Sequence, residues 1–333
     1  MKNKLITVFN LYRAKVKSFF KSPPGKRLLK FVTYLFQVLI IGIIIYQLTG
    51  IGWANIWASL PTEPLFYLLF LFIYFLLPLS ETIAYKISWG IPYFKSIPIF
   101  IKKRIFNKDV MGYSGEIVLM HWGVKTLSID KKQAFKDIRD MNIISSAAST
   151  FVALGLLVVL ILTGQIRALD YLIADDIWAG TGALDYVIGS VLLVILLGVI
   201  YRFRKYLFSM SFSVSYKVFL IHSFRMLILY AAQILQWHIV LPELSLEIWF
   251  TFLSVNIVIS RIPFLPSQEF IATGTNIELA KVLNAPVAAV SGILLVHDVL
   301  GKVLNLTLYV YYTIRERITP GYTTSYSSPA DQD

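Results

Sequence analysis

The sequence contains no cysteine, which excludes a disulfide framework, cysteine-ligated zinc and thiol catalysis. It has only four histidines, so a metal site would have to lean on carboxylates, and neither a metal nor another cofactor is expected. Charge is also scarce: 15% of the 333 residues are charged and 57% are hydrophobic, whereas soluble domains are roughly a quarter charged and half apolar. No polar interval between residues 31 and 314 is long enough for a soluble domain. An ordinary soluble protein is excluded, and no phosphate-binding glycine loop, nucleophile elbow or zinc-ligand pair is present. Acids are the rarer charge. The net charge is +12, and the first thirty residues carry nine Lys/Arg and no acid. The basic residues flank apolar runs, so membrane lipid with an anionic or charged head group is the expected partner, and nucleic acid is not.

What the chain has in abundance is apolar sequence. A hydrocarbon core about 30 Å thick needs roughly 20 apolar helical residues, and that length places seven candidate spans at 31–51, 64–81, 141–164, 184–202, 217–241, 245–262 and 285–313. The expected fold class is all-α: a polytopic helical membrane bundle of about seven spans (six to eight), with two re-entrant segments. Its organisation reads as a basic cytoplasmic segment over 1–30, one transmembrane domain over 31–314 and a short polar tail over 315–333. The run from Phe31 to Thr62 carries no charge and is too long for a signal peptide. Lys/Arg favour the cytoplasmic side. The 52–63 loop has none while residues 82–140 have eleven, which puts the N-terminus in the cytoplasm. An odd span count would leave the tail outside, and an extra crossing or a re-entrant hairpin near 264–283 would reverse it.

Two stretches fit neither a span nor a soluble loop. One, Ser96 to Leu127, contains Gly112-Tyr113-Ser114-Gly115-Glu116; the other, Pro263 to Asn284, contains Pro266-Ser267-Gln268-Glu269. Each sets a carboxylate and turn-forming residues beside apolar sequence too short to cross, as in a helix that enters the membrane and turns back. Ser-Gly-Glu at 114–116 precedes Asp140, and Ser-Gln-Glu at 267–269 precedes Asp298, which suggests an internal repeat around 96–164 and 263–313.

These two stretches resemble the transmembrane region of the lysylphosphatidylglycerol synthases, including the flippase portion of the bacterial multiple peptide resistance factor. The resemblance rests on Gly112 to Glu116 and on Arg261-Ile262-Pro263-Phe264-Leu265-Pro266-Ser267-Gln268-Glu269. The family has more glycine around the second glutamate, where this chain has Ser267-Gln268, and the soluble aminoacyl-transferase domain has no counterpart here. The resemblance implies a lipid-handling membrane domain in a bacterial inner (cell) membrane, with synthesis belonging to a separate lipid-modifying enzyme.

Ionisable groups at membrane depth pair, line a polar cavity or mark a pathway. Arginine's planar fork suits phosphate, which makes Arg225 and Arg261 candidates for a lipid phosphate. Glu116 and Glu269 are candidates for a cationic or hydroxylated head group or for gating ion pairs, and Asp140 and Asp298 complete the candidate substrate-binding set. The bland readings are helix-end snorkelling for Arg139, Lys281 and Arg261, capping for the two glutamates, and a structural contact for His297 beside Asp298. Three classes of function follow. The first is a flippase-like translocase for a charged-head lipid, a phospholipid or a polyprenyl-linked lipid. The second is an enzyme acting on a lipid-linked substrate, for which no donor site is recognisable. The third is an accessory scaffold subunit in which polar groups only hold helices together.

Overall fold

A computed structural model describes residues 53–110, 113–165, 210–262 and 268–318, with isolated helical positions between 42 and 49 and between 190 and 198. The expected spans 31–51 and 184–202 otherwise lie outside the described residues, as do the basic segment 1–30, Met111-Gly112, 263–267 and the tail beyond 318.

The regular elements among the described residues are all helical. They are α1 (Trp53–Ala58), α2 (Pro64–Trp89), α3 (Tyr93–Ile105), a π turn (Phe106–Val110), α4 (Ser114–Thr126), α5 (Lys131–Leu162), α6 (Phe212–Val240), α7 (Leu246–Ser260), α8 (Gln268–Val282) and α9 (Val287–Ile318). Local chemistry sets several ends. Pro64 opens α2, where its missing N–H costs nothing, and Gly90 closes it at φ 66° with its N–H on the Lys86 carbonyl. Asp130 caps α5 by accepting from the backbone N–H of Lys132 and Gln133.

Four helices, α2, α5, α6 and α9, are long and apolar enough to cross a membrane. Their outer faces carry exposed Leu68, Phe72, Phe224, Val303 and Leu306, a pattern that suits lipid and would be a liability in water. The chain has the character of an integral membrane protein. All four outrun their expected limits at one end, α6 beginning at Phe212 and α9 ending at Ile318. Helix α2 continues past Glu81 because Lys103 neutralises that carboxylate, and α5 begins at Lys131 rather than near 141. The expected span 245–262 takes the form of α7, with 15 residues, which is short of the roughly 20 a crossing needs; Arg261 stands at its C-cap.

The order of elements is the same twice. A long helix, two short ones and a long one (α2, α3, α4, α5) are followed by a long helix, two short ones and a long one (α6, α7, α8, α9). Glu116 and Glu269 both fall in the first turn of the second short helix. The two units run in opposite directions. Gln236, near the end of α6, donates to the carbonyl of Phe66 near the start of α2. Val218, near the start of α6, shares a core cluster with Ala84 and Tyr85 near the end of α2. Helix α5 runs parallel to α6, with Ile138 and Ile144 clustered with Val218 and Val152 clustered with Tyr230. Helix α9 runs parallel to α2, through Phe70–His297 at 5.3 Å and Tyr74–Asn305 at 2.6 Å. The main core lies among α2, α5, α6, α7, α8 and α9 around Phe66, Trp237, Trp249, Phe252 and Ile293.

Candidate functional site

The α3, π-turn and α4 segment folds back on itself around a buried lysine. Lys103 is 3% exposed, sits 2.6 Å from Glu81 and lies 3.5 Å from Glu116. Burial disfavours the ammonium, but the two carboxylates outweigh it and hold Lys103 above its ordinary pKa. The Asn107 amide donates to Glu116 at 3.1 Å and accepts from the Gly115 N–H at 2.7 Å, while the Ser114 hydroxyl donates to the Phe106 carbonyl. Glu116 is thus clamped in the first turn of α4, where the helix dipole also favours a negative charge. Its other oxygen, Oε2, is buried without a hydrogen bond.

A second group surrounds a polar cavity of about 320 Å³ between α2, α3, α6, α7, α8 and α9. Lys108 pairs with Glu269; the protein packed around this half-exposed carboxyl would alone raise its pKa, but Lys108 and then Lys302 outweigh that and hold it below its ordinary range. Lys302 pairs with Asp109 at 2.5 Å, and Asp109 also accepts from Asn305. The Arg104 guanidinium lies 3.9 Å from the centre of the Tyr74 ring, and its Nε and Nη1 are buried without a hydrogen-bond partner. Asp298 accepts from the Thr273 hydroxyl at 2.8 Å. Its neighbour His297 turns elsewhere, to Gln236 at 3.1 Å.

A third group adjoins the second. Arg225 donates to the Ser149 hydroxyl at 3.0 Å, and Arg261 donates to the Ser149 carbonyl at 3.0 Å and to the Thr150 hydroxyl at 3.2 Å. Two guanidinium groups from α6 and the end of α7 therefore meet one turn of α5. Arg261 and Ser149 line a cavity of about 380 Å³ that shares Gln233, Asn256 and Ser260 with the polar one.

The structure distributes the six sequence-derived candidates over these groups. Glu269 and Asp298 line the polar cavity, Arg261 lines its neighbour, and Arg225 reaches the same Ser149. Glu116 lies apart, in a hollow between α4 and α5 that it lines with Arg139. Asp140, 1% exposed, is bound to the adjacent Arg139 guanidinium at 2.7 Å. The two glutamates do not line one cavity, but both are held by the stretch from Lys103 to Asp109. Sequence reasoning missed Glu81, Lys103, Arg104, Lys108 and Asp109. Its only signal was Lys102-Lys103-Arg104, which reads equally well as a solvated basic loop.

Compared with protein-family models, curated proteins and solved structures, the chain matches none, so the resemblance carried by 112–116 and 261–269 stands as a proposal.

Proposed function

We propose that this chain is a flippase-like translocase for a lipid with a charged head group, as the family resemblance implies. One observation carries the reading. Two oppositely directed four-helix units flank a cavity lined by both signs of charge, and inverted units around a polar site built partly from short helices are a recurrent transporter architecture. The head group would pass through the polar cavity while the acyl chains stay in the bilayer.

The same reading assigns a topology. The N-terminus is cytoplasmic, α2 runs inward, the α3–α4 hairpin dips in from the cytoplasmic side, and α5 runs outward. The 184–202 span returns the chain, so α6 runs outward, the α7–α8 pair dips in from the outer face, and α9 brings the chain back. Six crossings leave Arg315 and Arg317 on the cytoplasmic side, in keeping with the distribution of positive charge. The membrane is a bacterial cell membrane, and a separate lipid-modifying enzyme supplies the lipid.

A scaffold reading is favoured by one observation: Glu116 and Glu269 already have lysine partners within the chain. Proteoliposomes containing a fluorescent lipid, quenched from outside, separate the two. Translocation by the wild type that is slowed in Glu269→Gln, with stability lowered by no more than about 1 kcal/mol, supports the translocase. Vesicles in which the wild-type protein moves no lipid remove it.

A further inference from the structure

Five charged side chains line the polar cavity: Arg104, Lys108, Glu269, Asp298 and Lys302. Three of them are committed, Lys108 to Glu269 and Lys302 to Asp109. The other two have opposite signs and no ion-pair partner among the described residues. The Arg104 guanidinium rests on the Tyr74 ring, and its Nε and Nη1 are unpaired and buried. Asp298 has a hydrogen bond only from the Thr273 hydroxyl, to one of its two oxygens.

A buried charge left alone is costly, and these two do not pair with each other. A ligand that carries both signs would satisfy both at once. A simple anion would leave Asp298 facing like charge, and a simple cation would face Arg104. The unpaired Nε and Nη1 of Arg104 belong to different edges of the planar guanidinium, and each leaves a charge-assisted N–H donor for a phosphate oxygen. The free oxygen of Asp298 suits an ammonium. Phe70, Ile73 and Leu294 supply apolar wall beside them, and a volume near 320 Å³ admits a small head group.

We propose that this cavity binds a zwitterionic phosphodiester of the phosphoethanolamine kind, its phosphate on Arg104 and its ammonium on Asp298. The inference rests on the translocase reading for its lipid source and names the substrate class of that site. Thr273 is a positioning residue that holds the carboxylate toward the ammonium.

The test is binding of short-chain lipids to the purified full chain in detergent, followed by isothermal titration calorimetry. Short-chain phosphatidylethanolamine is expected to bind about tenfold more tightly than short-chain phosphatidylglycerol, the scale of one charge-assisted contact. Asp298→Asn should abolish that preference by weakening phosphatidylethanolamine alone, and Arg104→Gln should weaken both lipids. If R104Q does not purify folded, R104K, which keeps the charge but not the fork, is expected to weaken both lipids while keeping the preference. Equal binding by the wild type, or a preference that survives D298N, overturns the proposal. Free O-phosphoethanolamine binding as tightly as the lipid would overturn the lipid source. A wild type with the preference that moves no lipid in vesicles keeps this site and sinks the translocase reading. One that flips lipid but binds both lipids alike does the reverse.

Discussion

Gly115 passes so close to the Lys103 backbone that a Cβ on it would stand 2.1 Å from the Lys103 carbonyl oxygen. The contact lets α4 return along α3 and brings Glu116 beside the Lys103 ammonium. Backbone cannot yield cheaply, so Gly115→Ala should force the hairpin apart and cost about 1–3 kcal/mol, as overpacking does. Gly155, with nothing within 4 Å of its would-be Cβ, is the control. G155A should leave thermal stability in detergent unchanged or raise it, while G115A lowers it.

Lys103 is the ammonium shared by two carboxylates, so its removal should cost more than removal of either acid. Lys103→Met leaves Glu81 and Glu116 buried without it, a loss of about 3–5 kcal/mol by analogy with broken buried pairs. The K103M/E81Q double variant should be less destabilised than the sum of the singles. A double-mutant cycle on thermal unfolding checks this, and strict additivity would mean that the contact is not energetically coupled.

The Lys108–Glu269 pair should matter little for stability, because the two side chains are 39% and 48% exposed and such pairs are worth at most about 1 kcal/mol. Its sign is nonetheless fixed. The folded-state Glu269 pKa lies below the ordinary value, so the contribution is present at neutral pH and is lost as pH falls through the folded-state value. Wild type should therefore be slightly more stable than E269Q at pH 7, with the gap closing under acid conditions. A gap that widens in acid contradicts the pairing.

The absence of cysteine makes topology directly testable, since any introduced thiol is unique. A cysteine at exposed Glu243, in the turn between α6 and α7, should react with an impermeant reagent in intact cells. One at Lys131 or Lys4 should not. Protection at 243 with labelling at 131 would invert the assigned orientation.

The long helices were legible because an apolar run of crossing length has few other uses in water or lipid. The α2, α5, α6 and α9 segments fall where hydropathy put them, with shifted ends. The ends moved because charge is judged by its partner. Glu81 and Asp140 look like boundaries until Lys103 and Arg139 are seen to neutralise them. The site was legible only in part for the same reason. Arg225 and Glu269 stood out as charges near apolar sequence, whereas Arg104, within a run of three basic residues, was indistinguishable from a solvated loop. Only the fold shows that Lys103 turns toward Glu81 and Arg104 toward Tyr74. The recurrence of Ser-Gly-Glu and Ser-Gln-Glu hinted at a repeat, but the repeated order of helices starts earlier, at α2 and α6.

The stretch from Lys103 to Asp109 holds four elements at once: α2 through Glu81, α4 through Glu116, α8 through Glu269 and α9 through Lys302. It is therefore a junction shared by both units. None of these helices can slide without either carrying that stretch along or breaking a named ion pair, and the half-exposed Lys108–Glu269 link to α8 is one that breaks at little cost.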